Sequence, residues 1–248
     1  MPKSTAPSNG LARALSKLGY CSRREAEVLI LAGRVQVNSV VCRRIDQTVD
    51  SARSIISVDG IPVRRVAFVY VMLNKPRGLV TTTADERGRE TVFQCLEGSG
   101  LPRLVPVGRL DQASEGMLLL TNDTQWANGI TEPGHGCLKT YHVHIDRQPT
   151  PEFLRQLETG IEVDGEFLRV VRATTVRVGE RHSWLELVLD EGRNRHLRRL
   201  LGAFGTEVLQ LVRIEIGKLR LGSLQKGQWR HLTPEEVQSL RKPTRAGN

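Results

Sequence analysis

The segment PVGRLDQASEGMLLLTND (106–123) carries the residues best suited to chemistry, an aspartate two places after an arginine. If VGRLD runs as a strand, Arg109 and Asp111 point to one side, close enough for an ion pair. A guanidinium there would keep the carboxylate ionised, as a nucleophile or base working at neutral pH must be. The same two residues would serve equally as a structural salt bridge at a turn. Glu115 and Asp123 are further acids of the segment, and Asp123, in a TND turn, reads as a loop cap.

A second cluster is EGRNRHLRRLLGAFG (191–205), where Leu197, Leu200, Leu201 and Phe204 recur at helical spacing among Arg193, Arg195, Arg198 and Arg199. Such a helix packs one side and offers guanidinium groups to phosphate or to Asp111; a solvated basic face is the plainer alternative. In LKTYHVHI (138–145), Lys139 and Tyr141 share one side of a presumed strand. Tyr141 there is either a platform for an unstacked base or a half-buried core aromatic. His142 and His144 share the other side, but no third ligand has metal-binding spacing, so no metal is expected. His196 reads as structural or phosphate-facing. NKPRG (74–78) sets Lys75 and Arg77 beside a turn, where both can meet phosphate. There is no GxGxxG or phosphate-loop motif.

These residues need elements to hold them. Leu11, Leu15 and Leu18 mark one face of a short helix that Gly19 should stop. Ser22 with Glu25 three residues on is a capping-box pattern for a second helix, with Ala26, Leu29 and Ile30 inward, Arg23 and Arg24 outward, and an end near Gly33. RVQVN (34–38) and SIISVDG (54–60) alternate like strands. A boundary is expected near Arg65, giving a small module over 10–65 and a larger one over 66–241 that opens with a strand in FVYVMLNKPRG. In the latter, VGRLD, MLLLTND, YHVHI, FLRVVRATTVRV and SWLELVLDEG are predicted strands, and 151–160, 193–204 and 234–240 predicted helices. Strands often follow one another without a crossover helix, which indicates an α+β fold with a mixed sheet, not a doubly wound one.

Composition narrows the partner. The 248 residues carry 36 Lys and Arg against 27 Asp and Glu, a formal charge of +9, and the excess favours a polyanion. The four cysteines form no CxxC pair, so zinc and iron–sulfur sites are unsupported and reduced thiols in a cytoplasmic protein are expected. Residues 1–10 hold no apolar leader stretch, and Val66–Leu73 is too short to span a bilayer, so no membrane association is expected. Both polar ends should be loose. A monomer is the expectation, because no long apolar surface helix calls for a partner.

In sum the motifs resemble one family. GRLD (108–111) followed by EGMLLLTND is similar to the signature of the pseudouridine synthases that modify ribosomal RNA and carry a small N-terminal S4-type domain. SRREAEVLILAGRVQVN (22–38) resembles the S4 module, NKPRG the opening of the catalytic domain, KTY (139–141) its tyrosine motif and EGRNRHLRRLLGAFGTEVLQLVRIEIG (191–217) its closing basic motif. With LQKGQWRHLT (224–233), the resemblance covers nearly everything from Leu11 to Leu240. Two departures stand out: Asn38 is followed by Ser39 where the family often has Gly, and QASEG (112–116) differs from the commoner continuation after GRLD.

The resemblance implies that Asp111 is the carboxylate that attacks the target uridine, that Tyr141 stacks on the flipped base, and that Arg198 pairs with the nucleophile. It implies that Arg109 holds the loop and the displaced strand and that Leu211 lines the base pocket, while Arg193 and Arg195 stand near enough in sequence to Arg198 to be alternatives for its role; Lys139, Arg193, Arg195, Lys75 and Arg77 are read as candidate RNA contacts. Arg23, Arg24, Arg34, Arg43 and Arg44 are the candidate phosphate ligands of the small module. The reaction rearranges a single nucleotide, so no cofactor is expected. GRNRHLRR with TTTADERGRETVF (81–93) resembles the large-subunit branch more than the small-subunit one, making large-subunit (23S) ribosomal RNA or its assembly precursor the expected partner. The rival readings are a small-subunit (16S) enzyme, a noncatalytic RNA-binding assembly protein, and a hydrolase using Asp111, the last weakened by the missing phosphate loop and acid/base pair.

Overall fold

The computed structural model describes residues 9–50, 53–64, 66–83, 85–132 and 137–241. The polar ends lie largely outside this set, as does Arg65, where the boundary was expected. The chain divides into two compact units, the first formed by residues up to Val69 with Leu101–Val105 and Asn122–Thr124, the second by the rest from Tyr70 onward.

In the first unit, α1 (Leu11–Lys17) buries Leu11, Ala14 and Leu15, and the chain turns at Gly19 with φ +78°. Helix α2 (Arg23–Leu31) starts with a complete capping box: Glu25 N donates to the Ser22 hydroxyl at 3.2 Å, and Ser22 N donates to the Glu25 carboxylate at 2.9 Å. Ala26 and Ile30 are buried, while Leu29 is only half-buried against them. Four short strands form a sheet in the order Val40–Cys42, Val35–Val37, Ile56–Val58, Ile61–Pro62, all antiparallel, and Asn9–Gly10 pairs antiparallel with Thr48–Val49. The turn between the first two places Asn38 at φ +49° and Ser39 at φ +68°, a left-handed pair that favours glycine. Asn38 suits its place, because its side-chain oxygen accepts from Ile55 N at 2.9 Å.

The second unit is built on a sheet whose path runs Arg172–Val178, Ser183–Leu189, Lys139–Ile145, Val208–Ile216, Glu115–Thr121, Tyr70–Lys75, Trp229–His231. Its neighbours pair antiparallel except Val208–Ile216 beside Glu115–Thr121, which run parallel over Val212↔Glu115 and Arg213↔Gly116. The sheet is mixed and the fold is α+β. Along it lie α3 (Thr124–Thr131), α4 (Pro151–Thr159), α5 (His196–Ala203) and α6 (Pro234–Ser239). Trp126 anchors a core with Met72, Met117, Leu119, Ile216 and Val237, and its indole N–H donates to the Val237 carbonyl at 3.1 Å. No helix of the described residues is long and apolar enough to cross a membrane.

Three local readings need correction. VGRLD is not a strand to Asp111: the strand is Val105–Val107, and Gly108 at φ +76° turns the chain into a loop. Helix α5 starts at His196, three residues later than expected, because Arg195 takes the left-handed conformation. Helix α3 and the strand Val208–Ile216 were not anticipated. TQWANGIT is a poor helix former by propensity, and is held by the burial of Trp126, Ala127 and Ile130.

Candidate active site

The loop from Gly108 to Ser114 is fixed chiefly through its backbone, which leaves its one acid available. The Thr81 hydroxyl donates to the Leu110 carbonyl at 2.7 Å and accepts from Leu110 N at 3.3 Å. Gly78 N donates to the Gln112 carbonyl at 2.8 Å, while the Gln112 side chain donates to the Gly78 carbonyl at 2.9 Å. From below, Lys75 Nζ donates to Ser114 O at 2.7 Å, and Arg198 Nη2 to Ala113 O at 3.2 Å. Beyond the loop, Gly116 sits at φ +98°, where a Cβ would come within 2.3 Å of the Arg213 carbonyl oxygen. That glycine lets the strand Glu115–Thr121, which follows the loop, lie against its parallel neighbour.

Above the loop is a cavity of about 280 Å³ that brings together Asp111, Tyr141, Arg198 and Leu211, residues widely separated in sequence. Arg109, Lys139, Arg193 and Arg195 line it as well. Asp111 is half-buried; Tyr141 and Leu211 are buried walls. A register shift after Thr140 in the pairing with Val208–Ile216 brings Arg213 opposite Tyr141, a bulge of the kind that re-aims side chains beside active sites. Arg213 was not singled out from the sequence, yet it lines the cavity, is buried, and donates through Nε to the Met117 carbonyl at 2.8 Å. The signal was available: Arg213 stands two residues after Leu211 on one strand, hence on the same side.

Several expected contacts are absent. Arg109 and Asp111 form no ion pair within 4 Å among the described residues, since the loop does not give them strand geometry. Arg198 does not pair directly with Asp111 either: its guanidinium donates to Val208 O at 3.0 Å and to Ala113 O. Burial pushes Arg198 below its ordinary range, Arg195 adds to the shift, and the Asp111 carboxylate opposes it, so the two charges still sense each other. Lys75 is fully buried with its ammonium on loop carbonyls, which removes it from phosphate; Arg77 beside it is exposed. His196 is buried, lines the cavity, and is hydrogen-bonded through Nε2 to the Arg169 carbonyl at 2.9 Å. His142 lies 3.5 Å from Glu186, and His144 stacks on Trp184. Arg193 pairs with Glu191 at 3.0 Å.

In the first unit, Arg23 and Arg24 are exposed on α2. Arg34 is held by Asp59 through two hydrogen bonds, Arg44 by Asp46, and Arg43 donates to the Leu31 carbonyl at 3.2 Å. All five arginines are exposed, but Arg34, Arg43 and Arg44 are each bonded within the unit.

Residues 69–203 match the family described as RNA pseudouridylate synthase. The chain belongs to this family. Residues 10–53 match the S4 domain. A protein of Aquifex aeolicus named as an uncharacterized RNA pseudouridine synthase is 39% identical over 228 residues, covering 91% of each chain. The ribosomal large subunit pseudouridine synthase B of Bacillus subtilis is 38% identical over 234 residues, 93% of this chain and 95% of that one. A crystal structure of a pseudouridylate synthase superposes with a TM-score of 0.66 at 28% identity, covering 93% of this chain and 99% of the other. The protein is an RNA pseudouridine synthase: it isomerises uridine in RNA, breaking the N-glycosidic bond and rejoining the base through C5.

Proposed function

We propose that the substrate is a specific uridine of large-subunit ribosomal RNA, or of its assembly precursor, and that Asp111 is the carboxylate that attacks it. The observation that carries this reading is the single cavity to which Asp111, Tyr141, Arg198 and Leu211 all contribute. Its walls suit one base taken out of its stack, with Tyr141 against the ring and Leu211 closing the apolar side. Arg198 acts on Asp111 through the loop, holding the Ala113 carbonyl and adding positive potential beside the carboxylate. Arg109, Lys139, Arg193 and Arg195 at the mouth supply cations for the RNA backbone. The reaction only moves a bond from N1 to C5, with a proton lost from C5 and one gained at N1, so no external atom or cofactor is needed. The module over 10–65 grips phosphate through Arg23 and Arg24, offsetting part of the few kcal/mol needed to unstack the target.

Similarity to the Bacillus subtilis enzyme over nearly the whole chain favours the large-subunit substrate. The test is pseudouridine mapping of unmodified large- and small-subunit ribosomal RNA after incubation with the purified protein. A single new site in the large-subunit RNA is expected; a site confined to the small-subunit RNA would reverse the substrate.

A further inference from the structure

A second cavity, about 550 Å³, opens against the same loop and shares Arg109, Leu110, Asp111, Asn194 and Arg195 with the first. Its outer wall is the turn around residues 85–89, which fastens itself. The Asp85 carboxylate accepts from Arg89 N at 2.8 Å, Arg87 N at 3.2 Å and Arg89 Nη2 at 2.6 Å, and its side chain is 7% exposed. These bonds hold Asp85 far below the usual carboxylate range, at about 2, and answer the charge of Arg89 inside the turn. Arg87, Arg109 and Arg195 have no carboxylate within ion-pair distance among the described residues. Arg195, in the left-handed region at φ +49° and ψ +32°, stands at the junction of the two cavities.

The charge balance favours an anionic ligand. With Asp85 and Arg89 answering each other, three cations face Asp111 and Glu86, an excess of one, which matches a single phosphodiester. We propose that this second cavity seats the phosphate next to the target uridine, bound by Arg87 from the self-fastened turn together with Arg109 and Arg195, while the flipped nucleoside enters the first cavity. A nucleotide leaves its stack by turning about its own backbone, so clamping the adjacent phosphate beside Asp111 fixes the pivot of that motion. The inference rests on the proposed attack of Asp111 on an RNA uridine. Arg87 is exposed, and alanine there keeps the backbone N–H that Asp85 accepts, so the substitution leaves the turn intact.

The test is binding of a large-subunit ribosomal RNA transcript by the full chain over a series of salt concentrations, with wild type, Arg87→Ala and Arg87→Lys. Arg87→Ala should weaken binding about tenfold and make the slope of log affinity against log salt shallower by about 0.7 to 0.9, the loss of one phosphate contact, and Arg87→Lys should restore the slope. On RNA that the wild type modifies, Arg87→Ala should raise KM by more than it lowers kcat. Wild-type affinity and slope in Arg87→Ala would overturn the inference. Absence of any new pseudouridine with the wild type would instead count against the substrate reading, and the salt slopes would still decide the role of Arg87.

Discussion

Lys75 Nζ lies 2.7 Å from the carbonyl oxygen of Ser114, three residues past Asp111, and the lysine is fully buried. Burial lowers its ammonium to about 8, against the pull of Glu115 and Asp111. A folded value below the unfolded one means that the folded chain binds fewer protons between about pH 8 and the ordinary lysine range, so this group makes stability rise with pH across that window. Lys75→Met removes the dependence. Urea midpoints of wild type and variant at pH 7.5 and 9.5 should show the difference moving in favour of wild type at the higher pH; a difference independent of pH would contradict the burial argument.

Arg198 bridges two carbonyls, Val208 O and Ala113 O, with the two ends of one planar fork. A lysine has the charge but not the fork: its donors radiate from a single nitrogen, which cannot occupy the places of both guanidinium ends at once. Arg198→Lys should therefore loosen the loop, lowering kcat about 10- to 100-fold with a smaller effect on KM, measured as pseudouridine formed per unit time. A wild-type kcat would show that charge alone suffices.

Gly116 and Gly202 make a paired test of close approach. A Cβ at Gly116 would lie 2.3 Å from Arg213 O and 2.7 Å from Arg213 N, at φ +98°, whereas one at Gly202 in α5 meets nothing within 4 Å. Gly116→Ala should cost more than about 3 kcal/mol or prevent soluble expression, and Gly202→Ala should stabilise by about 0.5–1 kcal/mol. Chemical unfolding of both variants distinguishes the two expectations.

Ser39 occupies a left-handed turn position at φ +68° without a compensating side-chain bond among those described. Ser39→Gly should stabilise the first unit by up to about 1 kcal/mol, read as a raised unfolding midpoint, since the turn no longer strains an L side chain. An unchanged or lowered midpoint would mean that the backbone entropy of glycine outweighs the relief.

The sequence made local chemistry legible and long-range geometry only partly so. The capping box at Ser22 and Glu25 and the end of α1 at Gly19 are written in a few adjacent residues, and they form as read. The motifs around Asp111, Tyr141 and Arg198 named residues that line one cavity. What adjacent residues could not show is how the GRLD loop is held: Lys75 looked like a surface cation beside a turn, and only the sheet reveals it buried under Ser114. The strand reading of VGRLD failed for a local reason, the positive φ at Gly108, which ended the alternation that would have paired Arg109 with Asp111. Arg213 was passed over because one buried arginine in an apolar strand carries no motif of its own.

The proposed chemistry depends on the Asp111 carboxylate. It is tested most directly by incubating wild type and Asp111→Asn with the same unmodified ribosomal RNA and mapping pseudouridine, with circular dichroism to confirm equal folding. A new pseudouridine is expected with the wild type and none with Asp111→Asn. Turnover by Asp111→Asn at the wild-type rate would contradict it.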